Sequence, residues 1–385
     1  MAGVGVMYYT ICALRAAIIQ QGGKDSDGAK SWNPAVLLDL VALGTVADVV
    51  RLDENNRWLV SRGLSRIRNG QAHEGIKALL GIANKDPSAV TTQDFGFAVG
   101  PRLNAAVRLD DMSNGIACLL TDDPQVAKQL ATLLDELNVS RKAIEAEMKE
   151  QAMNEIDTSS QDGQFTRVVF DESFHEGVIG IVAGRIKEKS NVPVVAFAKG
   201  GEDGLIKGSA RSIPGVHLRD LLDLVHKRGN QMFVKFGGHA MAAGLTMPLN
   251  RLEEFRKLFE DAAKEVMNNE LPQPELLVDG SLPIDLVRDV NFVSEMNALV
   301  WGQGFEEPIW HDEFVVEDLR LMGGDKHLSV TLNRSGESFR AVKFFVDGLP
   351  NVSVGESIKV AYRPFINSFR SKTSVQLMLM DMGVN

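Results

Sequence analysis

The sequence predicts a multidomain α/β protein with helices first, a mixed sheet in the middle and an all-β barrel at the end. Three observations support this fold class. The length of 385 residues exceeds one ordinary core, helical apolar spacing fills the first block, and five short alternating strands follow Glu313. A hydrophobic share of 44% and a charged share of 24% are typical of a soluble globular protein.

The first block is expected to be helical. Apolar helices are predicted over 3–19 and 34–50, and amphipathic helices punctuated by glycine over 56–67 and 75–83. A further short helix is expected within 92–109.

A long helix is predicted from Pro124 to about Ile156. Asp122 and Asp123 precede a proline in the first helical turn, which is a strong helix start. At 1.5 Å per residue the helix is roughly 50 Å long. This length, between blocks of different composition, favours an interdomain connector; a helix packed along one domain is the alternative.

Strands and helices then alternate, which predicts an α/β domain with a mixed sheet. The expected strands are 167–170, 193–198, 205–212 and 242–247, and the expected helices are 177–189, 218–226 and 251–266.

The last part reads as all-β. Five strands in so short a segment fit a small barrel of the oligonucleotide-binding type. They are expected at 314–321, 327–332, 339–345, 357–362 and 374–380.

Charge and cysteine content narrow the function classes. A net charge of −10 argues against a protein that coats nucleic acid indiscriminately, although the segment 207–235 carries six Lys or Arg against two acids. No apolar run is expected to span a bilayer, and the N-terminus lacks the basic region of a signal peptide. Cys12 and Cys118 lack metal-ligand spacing, which indicates free thiols and a cytoplasmic protein.

Two short clusters of small and polar residues are the most informative feature. They are GSARS at 208–212 and FGGHAMAAG at 236–244. Small residues let a ligand approach the backbone, and the polar side chains donate to anions. A glycine-rich strand edge and turn is the structural alternative.

These clusters and three further segments together resemble the RecJ family of the DHH phosphoesterase superfamily. The other segments are LGTVADVV at 43–50, GPRLNAAVRLD at 100–110 and FHEGVIGIVA at 174–183. The order of the segments and the C-terminal barrel also match. The resemblance covers essentially the whole chain.

The resemblance implies four regions. Residues 1–121 are the C-terminal helical part of a DHH domain, and 122–160 form the connector helix. Residues 161–272 are the DHH-associated, nucleic-acid-binding domain, and 273–385 are a linker and an OB-like barrel. The implied function is a single-stranded-DNA-specific 5′→3′ exonuclease of DNA recombination and repair. Its implied partners are single-stranded DNA, a single-strand-binding protein and a helicase, with the enzyme acting as a monomer in the cytoplasm without a membrane.

Two departures from the family pattern stand out. The Asp-rich and Asp-His-His motifs are missing, so the chain looks like the C-terminal two-thirds of a RecJ protein. Family members use two Mn²⁺ or Mg²⁺ ions, and the resemblance places only one metal ligand and catalytic residue here, Asp48. We therefore expect the chain alone to be catalytically incomplete. Val107 stands where the family usually has glycine.

The resemblance also assigns residues that hold phosphate and track the strand. The phosphate-binding and nucleic-acid-binding candidates are Arg102, Asn104, Arg108, His175, Ser209, Arg211, Ser212, Gly237, Gly238 and His239. In the barrel, Lys343, Arg363 and Arg370 are expected to track the strand. Structural alternatives remain for some of these residues: ion pairs with Asp110 or Asp111 for Arg102 and Arg108, and simple helix capping for His175.

Two other functions stay open on sequence alone. One is a DHH phosphoesterase for small substrates, namely oligoribonucleotides or cyclic dinucleotides. The other is a non-catalytic nucleic-acid-binding remnant. The long helix and the barrel disfavour the first alternative, since short substrates need no extended channel.

Overall fold

The computed structural model describes residues 1–158, 163–201, 204–273, 275–346, 348–369 and 372–384. The chain divides into two compact units. The first comprises Met1–Pro101, Ala117–Lys128 and Leu276–Asn385, and the second comprises Arg102–Ile116 and Gln129–Glu275. These units cut across the four regions expected from the sequence, whose boundaries stay a prediction.

Helices fill the chain up to the sheet, as predicted. They are α1 (Gly3–Gln21), α2 (Lys24–Ser31), α3 (Leu38–Ala47), α4 (Glu54–Arg68), α5 (Glu74–Ile82), α6 (Thr92–Asp94), α7 (Gly100–Leu109), α8 (Ser113–Leu120) and α9 (Pro124–Thr158). A π-helical turn, Phe95–Val99, joins α6 to α7. Helix α9 begins at the predicted proline, and the side chain of Asp123 accepts from the backbone N–H groups of Gln125 and Val126.

Helix α1 differs from the expectation that no apolar run is long enough to span a bilayer. By length and composition alone, Gly3–Gln21 is apolar enough to cross a membrane. Val6, Met7 and Leu14 lie exposed on one side of it. A signal sequence or the core helix of a soluble protein meets the same two criteria, so this helix alone assigns no membrane.

The apolar segment 34–50 forms two elements rather than one helix. Asn33 caps a 3₁₀ turn, Pro34–Leu37, and α3 follows. The backbone N–H of Val50 donates to the O of Thr45, and that of Val49 donates to the O of Val46. These two bonds form a Schellman motif, which ends the helix before Asp48 instead of carrying that residue within it.

The C-terminal barrel is confirmed as closed and five-stranded. Its strands are β6 (Trp310–Met322), β7 (His327–Arg334), β8 (Glu337–Phe344), β9 (Ser357–Phe369) and β10 (Lys372–Val384), in the order β10-β8-β7-β6-β9. The pairing of β10 with β8 is parallel, and the others are antiparallel. Two short helices, α13 (Ile284–Val287) and α14 (Val290–Ala298), precede the barrel in the chain, and its core includes Phe314, Tyr362 and Leu377.

The second unit contains the predicted mixed sheet. Its elements are β1 (Arg167–Phe170), α10 (Ile179–Ser190), β2 (Val194–Lys199), β3 (Leu205–Arg211), α11 (Leu218–Arg228), β4 (Lys235–Gly238), β5 (Ala242–Pro248) and α12 (Leu252–Val266). The strand order is β1-β2-β3-β5-β4, and only the β1–β2 pair is parallel. Strand β4 was not predicted, because its four residues include two glycines.

The packing of the helices leaves part of this sheet uncovered. Strand residues such as Phe197, Ile206 and Leu245 pack with α11 and α12 in one core cluster. On the opposite face, the residues of β2 that include Ala196 pack with α10 and with part of α9 around Met148. The side chains of β3, β5 and β4 that point to this second face stay partly exposed, and they form the candidate site.

Candidate functional site

A cleft of about 830 Å³ lies on the open face of the sheet, where side chains from three strands stand in rows. Because side chains alternate along a strand, residues paired across the strands share this face. Two rows cross β3, β5 and β4 in that order: Lys207, Thr246 and Lys235, then Ser209, Gly244 and Gly237. We call this site the cationic cleft.

Arg211 is the next residue on the same side of β3. Its Nη1 donates to the hydroxyl of Ser209, at 3.2 Å, and to the O of Ala210, at 2.8 Å. Burial lowers the pKa of the Arg211 guanidinium from its ordinary value, and the nearby charge of Arg108 lowers it further. In the described part of the chain no carboxylate pairs with this guanidinium. For a half-buried cation without an acidic partner, binding of an anion from outside the protein is favourable.

Helix α10 begins next to this arginine. A Cβ built on Gly180 would lie 2.8 Å from Nη2 of Arg211 and 2.9 Å from the hydroxyl of Ser209. Any side chain at this position would displace one of the two polar groups. Gly180 therefore lets the first turn of α10 lie against the pair.

Arg108 reaches the cleft from α7. Its Nη1 donates to the O of Gly177 at 2.9 Å, which fixes the guanidinium beside the loop before α10. Burial lowers the pKa of Arg108, and the charge of Arg141 lowers it further. Arginine remains charged even so, because its pKa lies far above neutrality. Both guanidinium groups are therefore cationic, and the charge of Arg108 opposes that of Arg211.

The cleft has an excess of positive charge. Nζ of Lys207 pairs with Glu176 at 2.7 Å. Lys235 and Arg108 also line the cleft, and Glu176 is the one acid among its described lining residues. This excess favours a polyanion or a terminal phosphate over a neutral ligand.

The glycines of the two sequence clusters have different roles. A Cβ on Gly237 would meet nothing within 4 Å, so this residue opens onto the cleft. Gly238 has a φ of 156°, and its Cβ would lie 2.4 Å from the O of Ala242. Gly208 makes room for Phe197 and Leu245 on the buried face. Of Gly237 and Gly238, which were both predicted to allow a close approach, Gly237 opens onto the cleft and Gly238 faces the backbone of β5.

Val107 also lines the cleft, and it is 61% exposed. Val107 lies within α7 at a negative φ, a backbone conformation that a β-branched residue adopts without strain.

The remaining predicted phosphate ligands lie elsewhere or are already bonded. Arg102 pairs with Asp135 of α9 at 2.8 Å, a partner that the sequence analysis did not name. Ser212 is buried, and its hydroxyl donates to the O of Val216. Asn104 is exposed on α7. His239 is exposed just after β4, where its backbone N–H donates to the backbone O of Ala242.

His175 lines the cleft, but its ring also has a local role. Its Nδ1 accepts from the N–H of Gly177 at 3.1 Å. This bond lies in the loop before α10, whose N-terminus has no side-chain cap, so His175 does not show the helix capping named as the alternative.

Asp48 lies exposed at the C-terminal end of α3, in the first unit. A carboxylate there opposes the helix dipole, which costs about 0.3–1 kcal/mol. The next residue, Val49, has a φ of 52°, which is rare for a β-branched side chain. Two unfavourable features in one turn are typical of a functional site.

The described residues do not form a two-metal centre around Asp48. Across the described ranges, no group of three or more His, Cys, Asp or Glu side chains is arranged to hold a metal ion. A single carboxylate supplies too few oxygen ligands for Mg²⁺ or Mn²⁺. The residues present therefore do not fit the metal site that the family resemblance implies.

The predicted barrel cations are engaged with acids. Lys343 on β8 pairs with Asp381 at 3.5 Å, and Arg363 on β9 pairs with Glu307 at 3.5 Å. Arg370 lies outside the described residues.

The sequence analysis missed Lys207, Lys235 and Gly180. Lys207, Ser209 and Arg211 alternate along one strand, a period of two that places them on one face. That signal was available for Lys207. Lys235 required knowledge of β4, and Gly180 required the packing of α10 against β3.

Comparison with known proteins gives consistent results. The protein-family model for the DHHA1 domain matches residues 162–265, and the one for the RecJ OB domain matches residues 278–381. The chain is 44% identical to single-stranded-DNA-specific exonuclease RecJ of Dickeya dadantii (strain 3937), over 98% of this chain and 66% of that protein. It is 43% identical to the protein of the same name from Salmonella typhimurium, over 99% of this chain and 67% of that protein. The chain thus spans about two thirds of the length of these curated relatives.

Solved structures agree. RecJ from Thermus thermophilus in complex with Mg²⁺ matches with a TM-score of 0.78 and 27% identity, covering 94% of this chain and 54% of that one. The Mn²⁺ complex of RecJ from the same organism matches with a TM-score of 0.78 and 26% identity, covering 94% and 51%.

Proposed function

This chain belongs to the RecJ family, and from that premise we propose that it forms the strand-holding part of a single-stranded-DNA-specific 5′→3′ exonuclease of recombination and repair. Its cationic cleft holds the terminal 5′-phosphate. Its barrel supports the strand that follows.

One observation carries the proposal: Arg108 lines the open cleft, Arg211 bonds to Ser209 of the same lining, and no described acid neutralises Arg211. A phosphate relieves the repulsion between two guanidinium groups and accepts charge-assisted hydrogen bonds from them. Ser209 has a small side chain and Gly237 has none, so the two residues leave room for the phosphate oxygens. Holding one chemical end of the strand sets the direction of degradation.

In this proposal Asp48 contributes one carboxylate to a metal centre that the described residues do not complete. The relatives' structures in complex with Mg²⁺ and with Mn²⁺ support a requirement for one of these ions. Because the present residues do not complete such a centre, no chemical step is assigned to this chain.

A small-substrate phosphoesterase is not favoured. The match to the RecJ OB domain over 278–381 supports a substrate that extends beyond a dinucleotide. The partners that the proposal includes are single-stranded DNA, a single-strand-binding protein and a helicase, with the enzyme acting as a cytoplasmic monomer.

Removal of the Arg211 guanidinium tests the end-binding role. The unchanged protein should bind a 5′-phosphorylated oligonucleotide more tightly than its 5′-hydroxyl twin, by about tenfold, since charge-assisted hydrogen bonds contribute roughly 1.5–3 kcal/mol. Arg211→Ala should abolish that preference, and Arg211→Lys should restore only part of it, because an ammonium cannot reproduce the planar fork. Fluorescence anisotropy with both oligonucleotides measures the preference.

The matched control is Arg228→Ala. Arg228 lies on α11 of the same unit and pairs with Glu265, so this variant removes an equal charge away from the cleft. It should keep the preference. An Arg211→Ala protein that folds by circular dichroism and still prefers the 5′-phosphate would contradict the proposal.

A further inference from the structure

A second cavity, of about 310 Å³, is lined by residues of the first unit. Its apolar lining comes from the end of α3 and the turn after it, and from the π-helical turn. Thr92 and Gln93 of α6, residues of segment 301–307 and Arg363 of β9 complete the lining. We call it the Trp301 cavity. Its volume is at the lower end of the range for small-ligand sites, which suits one flat ring system.

The indole of Trp301 is held rigidly. It stacks on Phe305 with ring centroids 5.2 Å apart and an angle of 9° between the planes, and the guanidinium of Arg57 lies 3.5 Å from the Phe305 centroid. Nε1 of Trp301 donates to the O of Met296, and the hydroxyl of Thr92 donates to the O of Trp301. A preorganised aromatic ring of this kind loses little entropy when another ring stacks on it.

The exposed apolar residues of the cavity lie beside this ring system. Phe97 is 83% exposed and Val49 is 66% exposed, and both line the cavity. Exposed apolar side chains around a concave site favour a ligand with an apolar face.

One end of the cavity is polar. Nε2 of Gln93 donates to Oε2 of Glu307 at 3.0 Å, and Nη1 of Arg363 lies 3.5 Å from the same oxygen. Burial raises the pKa of Glu307, and Arg363 and Gln93 partly oppose that rise. Together the three side chains offer both donors and acceptors, as the edges of nucleobases do.

We propose that the Trp301 cavity is a nucleobase-binding subsite for one nucleotide of the single strand. The inference rests on the proposed function and adds a second point of attachment, which recognises a base instead of a phosphate. Val49 and Val50 line the cavity and directly follow Asp48 in the same backbone turn. A base bound in the cavity therefore contacts the turn whose carboxylate is assigned to the metal centre. Glu306 and Glu307 line the cavity and would repel a phosphate, which favours the base as the bound group.

An oligonucleotide with one 2-aminopurine, moved stepwise along a 5′-phosphorylated strand, tests this on the full chain. Stacking quenches the fluorescence of this base, so we expect quenching at one position. An abasic site at that position should weaken binding by about fivefold or more, since each stacked base contributes substantially to affinity. Trp301→Ala should remove both effects, and Trp301→Phe should retain part of them.

Phe97→Ala provides a variant that keeps the fold, because that side chain is already 83% exposed. It should reduce the quenching even where Trp301→Ala unfolds the protein. Trp58→Ala is the matched control, since Trp58 is 51% exposed and does not line the cavity. It should change neither readout.

Two results would overturn the inference. One is quenching that neither Phe97→Ala nor a folded Trp301→Ala reduces. The other is the absence of a quenched position, which would assign the cavity to another occupant, such as an apolar side chain of a protein. If the Arg211-dependent preference for a 5′-phosphate persists in either case, the proposed function stands and only the base subsite fails.

Discussion

In the function proposed here, the cationic cleft and the Trp301 cavity hold parts of one substrate by opposite physical means. The cleft is open and polar, and Lys207, Lys235 and Arg108 supply its charge. The Trp301 cavity is smaller and mostly apolar, with polar groups at one end. Charge attraction acts on the phosphate backbone and is weakened by salt, whereas stacking acts on the base and is much less so. The comparison indicates that strand position and strand attraction are set by different regions.

Neither region contains a metal centre among its described residues. The largest expected effect is therefore on nuclease activity. With Asp48 as the only assigned ligand, the chain alone should show no detectable degradation of single-stranded DNA in Mn²⁺ or Mg²⁺. Release of nucleotides from a labelled strand measures this. Robust cleavage that Asp48→Ala abolishes would show that other residues of the chain complete a metal centre. The chain would then contain a catalytic site in addition to the cationic cleft and the Trp301 cavity.

The second prediction uses two adjacent glycines to separate binding from stability in the cleft. Gly238→Ala should destabilise the second unit by about 1–3 kcal/mol, because φ is 156° and the new Cβ would overlap the O of Ala242. Gly237→Val should leave the melting temperature within a few degrees, because open space surrounds that position and valine suits a strand. It should instead weaken the preference for the 5′-phosphate.

Thermal unfolding followed by circular dichroism, paired with anisotropy, distinguishes the two glycines. Equal melting temperatures for both variants would contradict the assigned difference. A normal phosphate preference in Gly237→Val would place the bound phosphate away from that strand.

The smallest expected effect is on salt dependence. Removing one cation that binds a phosphate should reduce the slope of log affinity against log salt by about 0.7 for single strands. Lys235→Ala should therefore flatten the slope by about that amount. Phe97→Ala should weaken binding at every salt concentration with the slope unchanged. Anisotropy titrations at several salt concentrations measure both, and an equal flattening of the slope in the two variants would remove the distinction between the regions.

Much of the fold could be predicted from local sequence patterns. Strands β3 and β7 alternate buried and more exposed residues, β2 is a continuous apolar run, and α9 begins with an acidic cap and a proline. Strand β4 was not predicted because Lys235–Gly238 has little strand propensity; its pairing with β5 and the packing of Phe236 against the core stabilise it. Segment 34–50 was predicted as one helix, and not as a 3₁₀ turn followed by α3, because hydrophobicity does not reveal a backbone turn.

The candidate site was predicted less completely than the fold. Arg211, Ser209 and Gly237 follow from the two small-residue clusters, while Ser212 lies on the buried side of the same cluster. A motif marks a segment of chain, but the alternation along a strand decides which of its side chains reach the ligand. The Trp301 cavity escaped altogether, because it joins segments more than 200 residues apart, as the bond from Thr92 to Trp301 illustrates.

The left-handed backbone at Val49 lowers the stability of the fold but fixes the direction of the backbone beside Asp48. In the Schellman motif after α3, this position normally favours glycine, and a β-branched residue there costs about 1–2 kcal/mol. Substitution by glycine would relieve that strain and would also let the backbone beside Asp48 sample many more directions. A protein engineered at Val49 for heat resistance would therefore gain durability at the expense of a fixed carboxylate.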